Sequence, residues 1–160
     1  MAGRVPDTGP TAAAVAANIK RLRMESNLTW TQLSERLESI EWKLTPVAIR
    51  NIESEERRVN VDDLVALSVA LGVSPATLLM PDIENAQGRD KLKVTGVDDP
   101  VEAHPLWIWL TGCGPLPGRN ATGYVMRSQP RWVRDNVEQA NRQMTAFLAQ
   151  GTAENRGDDK

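Results

Sequence analysis

Apolar residues recur at helical spacing from residue 11 onward, and most of these stretches open on a residue able to cap them. Val15, Ile19 and Leu22 stand at i, i+4 and i+7, with Ala12 and Ala16 beside them, which predicts a first helix from Thr11 to about Ser26-Asn27. Leu28-Thr29-Trp30-Thr31-Gln32-Leu33 reads as a helix start: Thr29 caps, Gln32 closes a capping box, and Leu28 and Leu33 form a hydrophobic staple. A second helix is expected over Trp30–Ser39, burying Leu33 and Leu37, with Ile40 a further core candidate. Leu44-Thr45-Pro46-Val47-Ala48-Ile49 repeats the design, with Thr45 as cap, proline at the first helical position and Leu44 stapled to Ile49. This third helix runs to about Glu53 and turns Ile49 and Ile52 inward.

Asn60 caps a fourth helix, with Asp62 and Asp63 in the first turn, where the helix dipole favours anions. Leu64, Leu67 and Leu71 make its core stripe, and Gly72 is placed to end it. Ser74-Pro75 opens a short fifth helix carrying Leu78 and Leu79 and stopped by Pro81. Such a bundle of about 70 residues is large enough to bury a core without staples. It offers no obvious spare apolar face.

Past Pro81 the pattern loosens. Residues 82–90 read as a polar linker, and Lys91–Val97 alternates enough for a short strand with Leu92 and Val94 on one side. Pro105–Leu110 is an apolar patch holding Trp107 and Trp109, and the glycines and prolines of Thr111–Thr122 predict loop. A last helix is expected from about Gln129, where Val133, Val137, Ala140, Met144 and Phe147 fall at heptad spacing. The domain reading is a flexible arm over 1–10, a helical domain over 11–81, the linker 82–90, a C-terminal region over 91–150 and a disordered tail over 151–160.

Composition narrows the class. The 160 residues hold one cysteine, Cys113, which excludes an internal disulfide framework and fits a reducing, cytoplasmic setting. No stretch approaches the ~20 continuous apolar residues of a membrane span. Enzyme chemistry has little to use: His104 is the only histidine, so a two-histidine metal site is excluded. A pairing of His104 with Cys113 is conceivable, but His104 precedes a proline and Cys113 sits in a Gly/Pro loop. Gly112, Gly114 and Gly118 lack the flanking strand and helix of a phosphate-binding loop and read as turns. No catalytic residue, metal or cofactor is expected.

Two short, firmly started helices in succession suggest a helix-turn-helix, a unit that offers its second helix to the DNA major groove. Net charge gives no support, being −2, so any DNA face must be local. Lys20, Arg21, Arg23, Lys43, Arg50, Arg57 and Arg58 are the candidate cations, opposed by Glu41, Glu53, Glu55 and Glu56.

Four segments carry a resemblance to the Xre-type, phage-repressor-like helix-turn-helix regulators: Ile19–Arg23, Leu28–Leu37, Ala48–Glu53 and Leu64–Val73, closed by Ser74 and Leu78-Leu79. The match spans about Ala12–Met80, and Glu56–Leu64 resembles an actinobacterial sub-group. The resemblance implies a mainly α fold, with a five-helix repressor-like DNA-binding domain followed by a smaller, less regular region ending in a helix. It implies a transcriptional regulator, repressor-like, with double-stranded DNA as partner. Pro46, Val47, Arg50 and Asn51 would fall at base-reading positions, Arg50 suited to guanine and Asn51 to adenine. Thr29, Trp30, Thr31, Lys43, Ser54, Arg57 and Arg58 would meet phosphates, and Arg23 would pair with Glu53 to lock the first helix to the third.

Three positions depart from the family pattern. Trp30 replaces a glutamine, so one phosphate clamp is weakened or taken over by an indole N–H. Glu38–Leu44 is about five residues longer than the usual tight turn (counted against the family's pattern), which could lengthen the second helix or re-aim the third. Glu55 and Glu56 replace a glycine and a basic residue, and their charge opposes phosphate. The rival class is accordingly a protein-interaction module, antitoxin-like or adaptor, with a degenerate helix-turn-helix. For assembly, Val133, Val137, Met144 and Phe147 are the candidate homodimer contact, with Trp107 or Trp109. The alternative is that this helix folds back to cover the two tryptophans.

Overall fold

The computed structural model describes residues 8–136, 139, 142 and 143. The chain divides into two compact units, Met1–Pro117 and Gly118–Lys160. It is mainly helical.

In the first unit, α1 (Pro10–Glu25), α2 (Trp30–Ser39), α3 (Pro46–Glu53), α4 (Val61–Leu71) and α5 (Pro75–Leu79) follow the expected order. The start signals act as the sequence implies. Thr29 Oγ1 accepts from the Gln32 N–H while Gln32 Oε1 accepts from the Thr29 N–H at 2.8 Å, a complete capping box. Thr45, Asn60 and Ser74 likewise accept from Ala48, Asp63 and Thr77 N–H groups. The ends are equally local. Asn27, Glu41 and Gly72 take left-handed φ values of 53°, 62° and 71° after α1, α2 and α4. The next N–H then returns to a carbonyl five residues back: Leu28 to Arg23, Trp42 to Leu37, Val73 to Ser68.

α1 packs on α5, α3 and α4, and α2 on α3 and α4. Val15, Ile19, Leu33, Leu37, Ile49, Ile52, Leu67 and Leu78 are buried together at the centre. Ile40 is not among them: it is the C-cap of α2 and 40% exposed. Trp42, two residues on, packs against the core in its place. The buried Asn18 amide lies 2.8 to 3.2 Å from the carbonyls of Thr77, Leu78 and Met80, satisfying acceptors that the end of α5 leaves unpaired. The bundle does carry a spare apolar face, contrary to expectation. Val61, Val65 and Val69 repeat every fourth residue on the outside of α4, 77%, 49% and 59% exposed.

Met80 begins a second cluster with Val94, Val101, Ala103 and Leu106. The stretch 82–90 forms turns, and Ile83 and Ala86 pack on this cluster. The expected strand shrinks to β1 (Lys91–Leu92), paired antiparallel with an unforeseen β2 (Val101–Glu102). The tryptophan patch is a helix, α6 (Ala103–Leu110). It has no capping side chain; instead the N–H groups of Ala103 and His104 donate to the carbonyls of Asp90 and Gly88, at 2.9 Å each. Pro105 is tolerated because it falls in the first turn, where an N–H has no partner within the helix.

In the second unit, α7 (Ala121–Ser128) takes in Ala121 and Thr122, the end of the expected loop; Asn120 caps it through the Gly123 N–H. The helix expected from Gln129 is displaced, since Gln129 is extended and Pro130 follows; residues 131–136 are helical. Arg134 Nη1 donates to the Met126 carbonyl, and Trp132 is 69% exposed. Val133 is half-buried, whereas Val137, Met144 and Phe147 lie outside the described residues.

Candidate nucleic-acid interface

The surface turns on how α3 is fixed behind its exposed side. Arg23, from α1, meets Glu53 at the end of α3 with two hydrogen bonds, Nε to Oε1 at 2.6 Å and Nη2 to Oε2 at 2.8 Å. Both side chains are nearly withdrawn from solvent, 11% and 4% exposed. A third Arg23 bond goes to the Leu28 carbonyl just ahead of α2. The hydrogen bonds it donates to the Glu53 carboxylate hold the Arg23 guanidinium above its ordinary pKa, against the opposing effect of burial. One side chain therefore ties α1, the entry to α2 and the end of α3. The pairing inferred from the resemblance is present.

Trp30 completes this knot. Its indole Nε1 donates to Glu53 Oε2 at 2.9 Å, and the Arg23 guanidinium carbon lies 5.1 Å from the ring centroid. The N–H expected to stand in for a phosphate clamp is committed to Glu53. The ring is still 40% exposed, so it borders the surface while holding it in place. Only Trp30's departure from the family pattern marked it in the sequence; its partner could not be read, because Glu53 is distant in sequence.

In front of the knot, α3 presents Val47, 58% exposed, and the exposed Arg50, with Pro46 and Asn51 half-buried beside them. Among the described residues the Arg50 side chain makes no hydrogen bond or ion pair. Thr31 and Lys43 are exposed, and so is Thr29, whose hydroxyl is engaged in the capping box. Ser54 Oγ lies 3.1 Å from the Arg50 carbonyl, leaving its lone pairs rather than its proton for other contacts.

The longer link between α2 and α3 does not extend α2, which ends at Ser39. Trp42 anchors the link: its Nε1 donates to Asp63 Oδ1 at 3.0 Å, and Ser34 Oγ donates to the Leu44 carbonyl at 2.7 Å. Asp63, in the first turn of α4, is buried and also receives Arg57 Nη2 at 3.3 Å. Arg57, 42% exposed, is thus tethered on one side and open on the other. Arg58 is exposed. Glu55 sits at φ 61°, a left-handed position after α3 that suits glycine. The glycine missing from the family pattern is missing where the backbone would use it.

Elsewhere, the Cys113 thiol lies 3.8 Å from the Thr111 carbonyl, and Gly112 and Gly118 occupy turns at positive φ. Among the described residues no helix is long and apolar enough to cross a membrane.

A helix-turn-helix family model, HTH_3, matches residues 19–78. A crystal structure of a hypothetical transcription factor, NHTF from Neisseria, is 20% identical and covers 52% of this chain and 91% of its own, with a TM-score of 0.42. The comparison with curated proteins found no match. Residues 19–78, from the last turns of α1 to the last turn of α5, are an Xre-like helix-turn-helix domain of the HTH_3 family.

Proposed function

We propose that the protein is a sequence-specific, repressor-like transcriptional regulator that reads double-stranded DNA with α3. The observation that carries this reading is the exposed, unengaged Arg50 on a short helix locked from behind by Arg23, Glu53 and Trp30. A rigid mount matters because a bidentate contact to guanine tolerates little misalignment. Pro46, Val47, Arg50 and Asn51 would face base edges. Thr31, Lys43, Arg57 and Arg58 would take phosphates, Thr29 and Ser54 would do so by turning their hydroxyls away from Gln32 and the Arg50 carbonyl, and Trp30 would act mainly by holding Glu53. The reading implies a cytoplasmic working site beside DNA and requires no cofactor or catalysis. It favours a homodimer, since paired reading helices about 34 Å apart would engage successive turns of one DNA face. Val133, Val137, Met144 and Phe147 remain the proposed contact.

The second reading, an antitoxin-like or adaptor module, draws support from Glu55 and Glu56 beside the phosphate-facing loop and from the exposed valines of α4. Salt dependence separates the two. On a mixed pool of duplexes the full chain should bind with an affinity that falls steeply as salt rises, and Arg57→Ala should lower that slope by about one unit. Binding that ignores salt, or no binding at low salt by a cooperatively melting protein, would remove the DNA reading.

A further inference from the structure

Two carboxylates of the bundle are withdrawn from solvent and bonded alike. Glu53, at the end of α3, accepts from the Trp30 indole and from the Arg23 guanidinium. Asp63, in the first turn of α4, accepts from the Trp42 indole on Oδ1 at 3.0 Å and from Arg57 Nη2 on Oδ2 at 3.3 Å. The arginines differ. Arg23 is 11% exposed and also bonded to the Leu28 carbonyl, whereas Arg57 is 42% exposed. Among the described residues its guanidinium makes the Asp63 bond alone.

Arg57 is held at both ends of its length. Its backbone N–H donates to the Asn51 carbonyl at 2.9 Å, which folds the chain after α3 back onto that helix. Its guanidinium is held along one edge by Asp63. Asp63 is fixed in turn, its backbone N–H on Asn60 Oδ1 at 2.7 Å and its carboxylate on the Trp42 indole. Trp42 comes from the long link between α2 and α3, packs against the core, and returns its own N–H to the Leu37 carbonyl at 3.0 Å. The indole is neutral, so it orients the carboxylate without competing for it as a second cation would. An arginine ordered before DNA arrives loses less freedom on binding, and most of its N–H donors stay open to phosphate.

We propose that Asp63, oriented by Trp42, is a positioning residue for DNA: it aims Arg57 at a phosphate, and the long α2–α3 link serves to supply the indole that orients it. The proposal rests on the DNA-binding reading. Charge alone gives the opposite sign. Asp63→Asn removes a negative charge beside the phosphates, which by field attraction would tighten binding to every duplex.

The test is a double-mutant cycle on the full chain, with a duplex selected from a random pool and affinities measured over a range of salt. Asp63→Asn keeps an oxygen for the indole, yet it should weaken binding about fivefold and lower the salt slope by about one unit. In an Arg57→Ala background the same change should move affinity by less than about twofold. Trp42→Phe alters no charge, should weaken binding about threefold, and should likewise lose its effect without Arg57. Cooperative melting identifies the folded variants. Arg57→Lys, at an exposed position, tests the role independently of both: an ammonium drawn onto Asp63 lacks the second edge of the guanidinium fork, so it should lose about as much affinity as Arg57→Ala. Tighter or unchanged binding by a folded Asp63→Asn or Trp42→Phe, the same loss with and without Arg57, or full affinity in Arg57→Lys overturns the positioning role and leaves the DNA reading standing. A folded wild type that binds no duplex overturns both.

Discussion

The bundle of α1–α5 and the segment from Asp82 to Pro117 share one unit but are held by different means. In the bundle, four of the five helices begin on a side chain that caps its own first turn, and the core is closed by large aliphatics at helical spacing. In the later segment, α6 borrows its N-terminal acceptors from a turn more than ten residues earlier, and a two-residue ladder does the pairing. The ion pairs differ in the same way. Arg23–Glu53 is buried and doubly bonded, whereas Lys91–Glu102 is 61% and 44% exposed. The bundle is specified locally and reinforced at distance; the later segment depends on distance alone.

That contrast is broken most directly at its ion pairs. Arg23→Met leaves Glu53 buried without its partner and should cost about 3–5 kcal/mol, while Lys91→Met should cost less than about 1 kcal/mol because water already screens that pair. Thermal melting of both variants checks this, and similar losses would erase the distinction. The raised arginine pKa adds a sign. A folded-state value above the unfolded one gives stability that is complete below the unfolded pKa and is lost only as pH rises through the folded value. The Arg23 contribution should therefore stay constant from neutral into moderately alkaline solution.

Core truncation is the next test. Leu67→Ala and Leu106→Ala each remove a fully buried side chain and should each cost about 2–5 kcal/mol if the unit melts as one. Hydrogen exchange distinguishes their reach. Leu67→Ala should loosen α1 through α5 together, whereas Leu106→Ala should raise exchange in α6 and the β1–β2 ladder while α2 and α3 stay protected. Loss of protection in α2 and α3 from Leu106→Ala would show the two parts to be a single cooperative body.

Legibility in the sequence follows the same divide. Thr29, Thr45, Asn60, Ser74 and Gly72 act through atoms within a few residues of themselves, so their helices were readable to within a residue or two. α6 was not, because Pro105 resembles a boundary and the acceptors for Ala103 and His104 sit at Asp90 and Gly88. The site shows a similar split. The family resemblance supplied Arg23 with Glu53 and put Val47, Arg50 and Asn51 at reading positions; Val47 and Arg50 are exposed there, whereas Asn51 is half-buried. Trp30 on Glu53 and Trp42 on Asp63 were invisible, since each joins residues more than twenty positions apart. Ile40 was misjudged because helical spacing continues past the point where Glu41 turns left-handed and swings Trp42 inward.

Smaller effects sharpen the account. Asn18→Ala leaves carbonyls at the junction of bundle and second cluster without their donor, and should cost about 1–3 kcal/mol with no change in DNA affinity beyond that due to unfolding. Glu55→Gly should stabilise by about 1 kcal/mol by relieving a left-handed non-glycine residue, and should also tighten DNA binding by removing a charge that opposes phosphate. A destabilised Glu55→Gly would show that the carboxylate's contact with Thr8 outweighs the backbone.

The central claim is that α3 reads bases while the rest of the domain aims it. Duplexes selected from a random pool by the full chain provide the preferred site, and affinities of wild type and Arg50→Ala are then measured on that site and on its single-base-pair variants at one salt concentration. The account predicts that Arg50→Ala folds normally, loses about 1–3 kcal/mol on the preferred site and no longer discriminates at one base pair. Retained affinity and retained discrimination in a normally folded Arg50→Ala would contradict it.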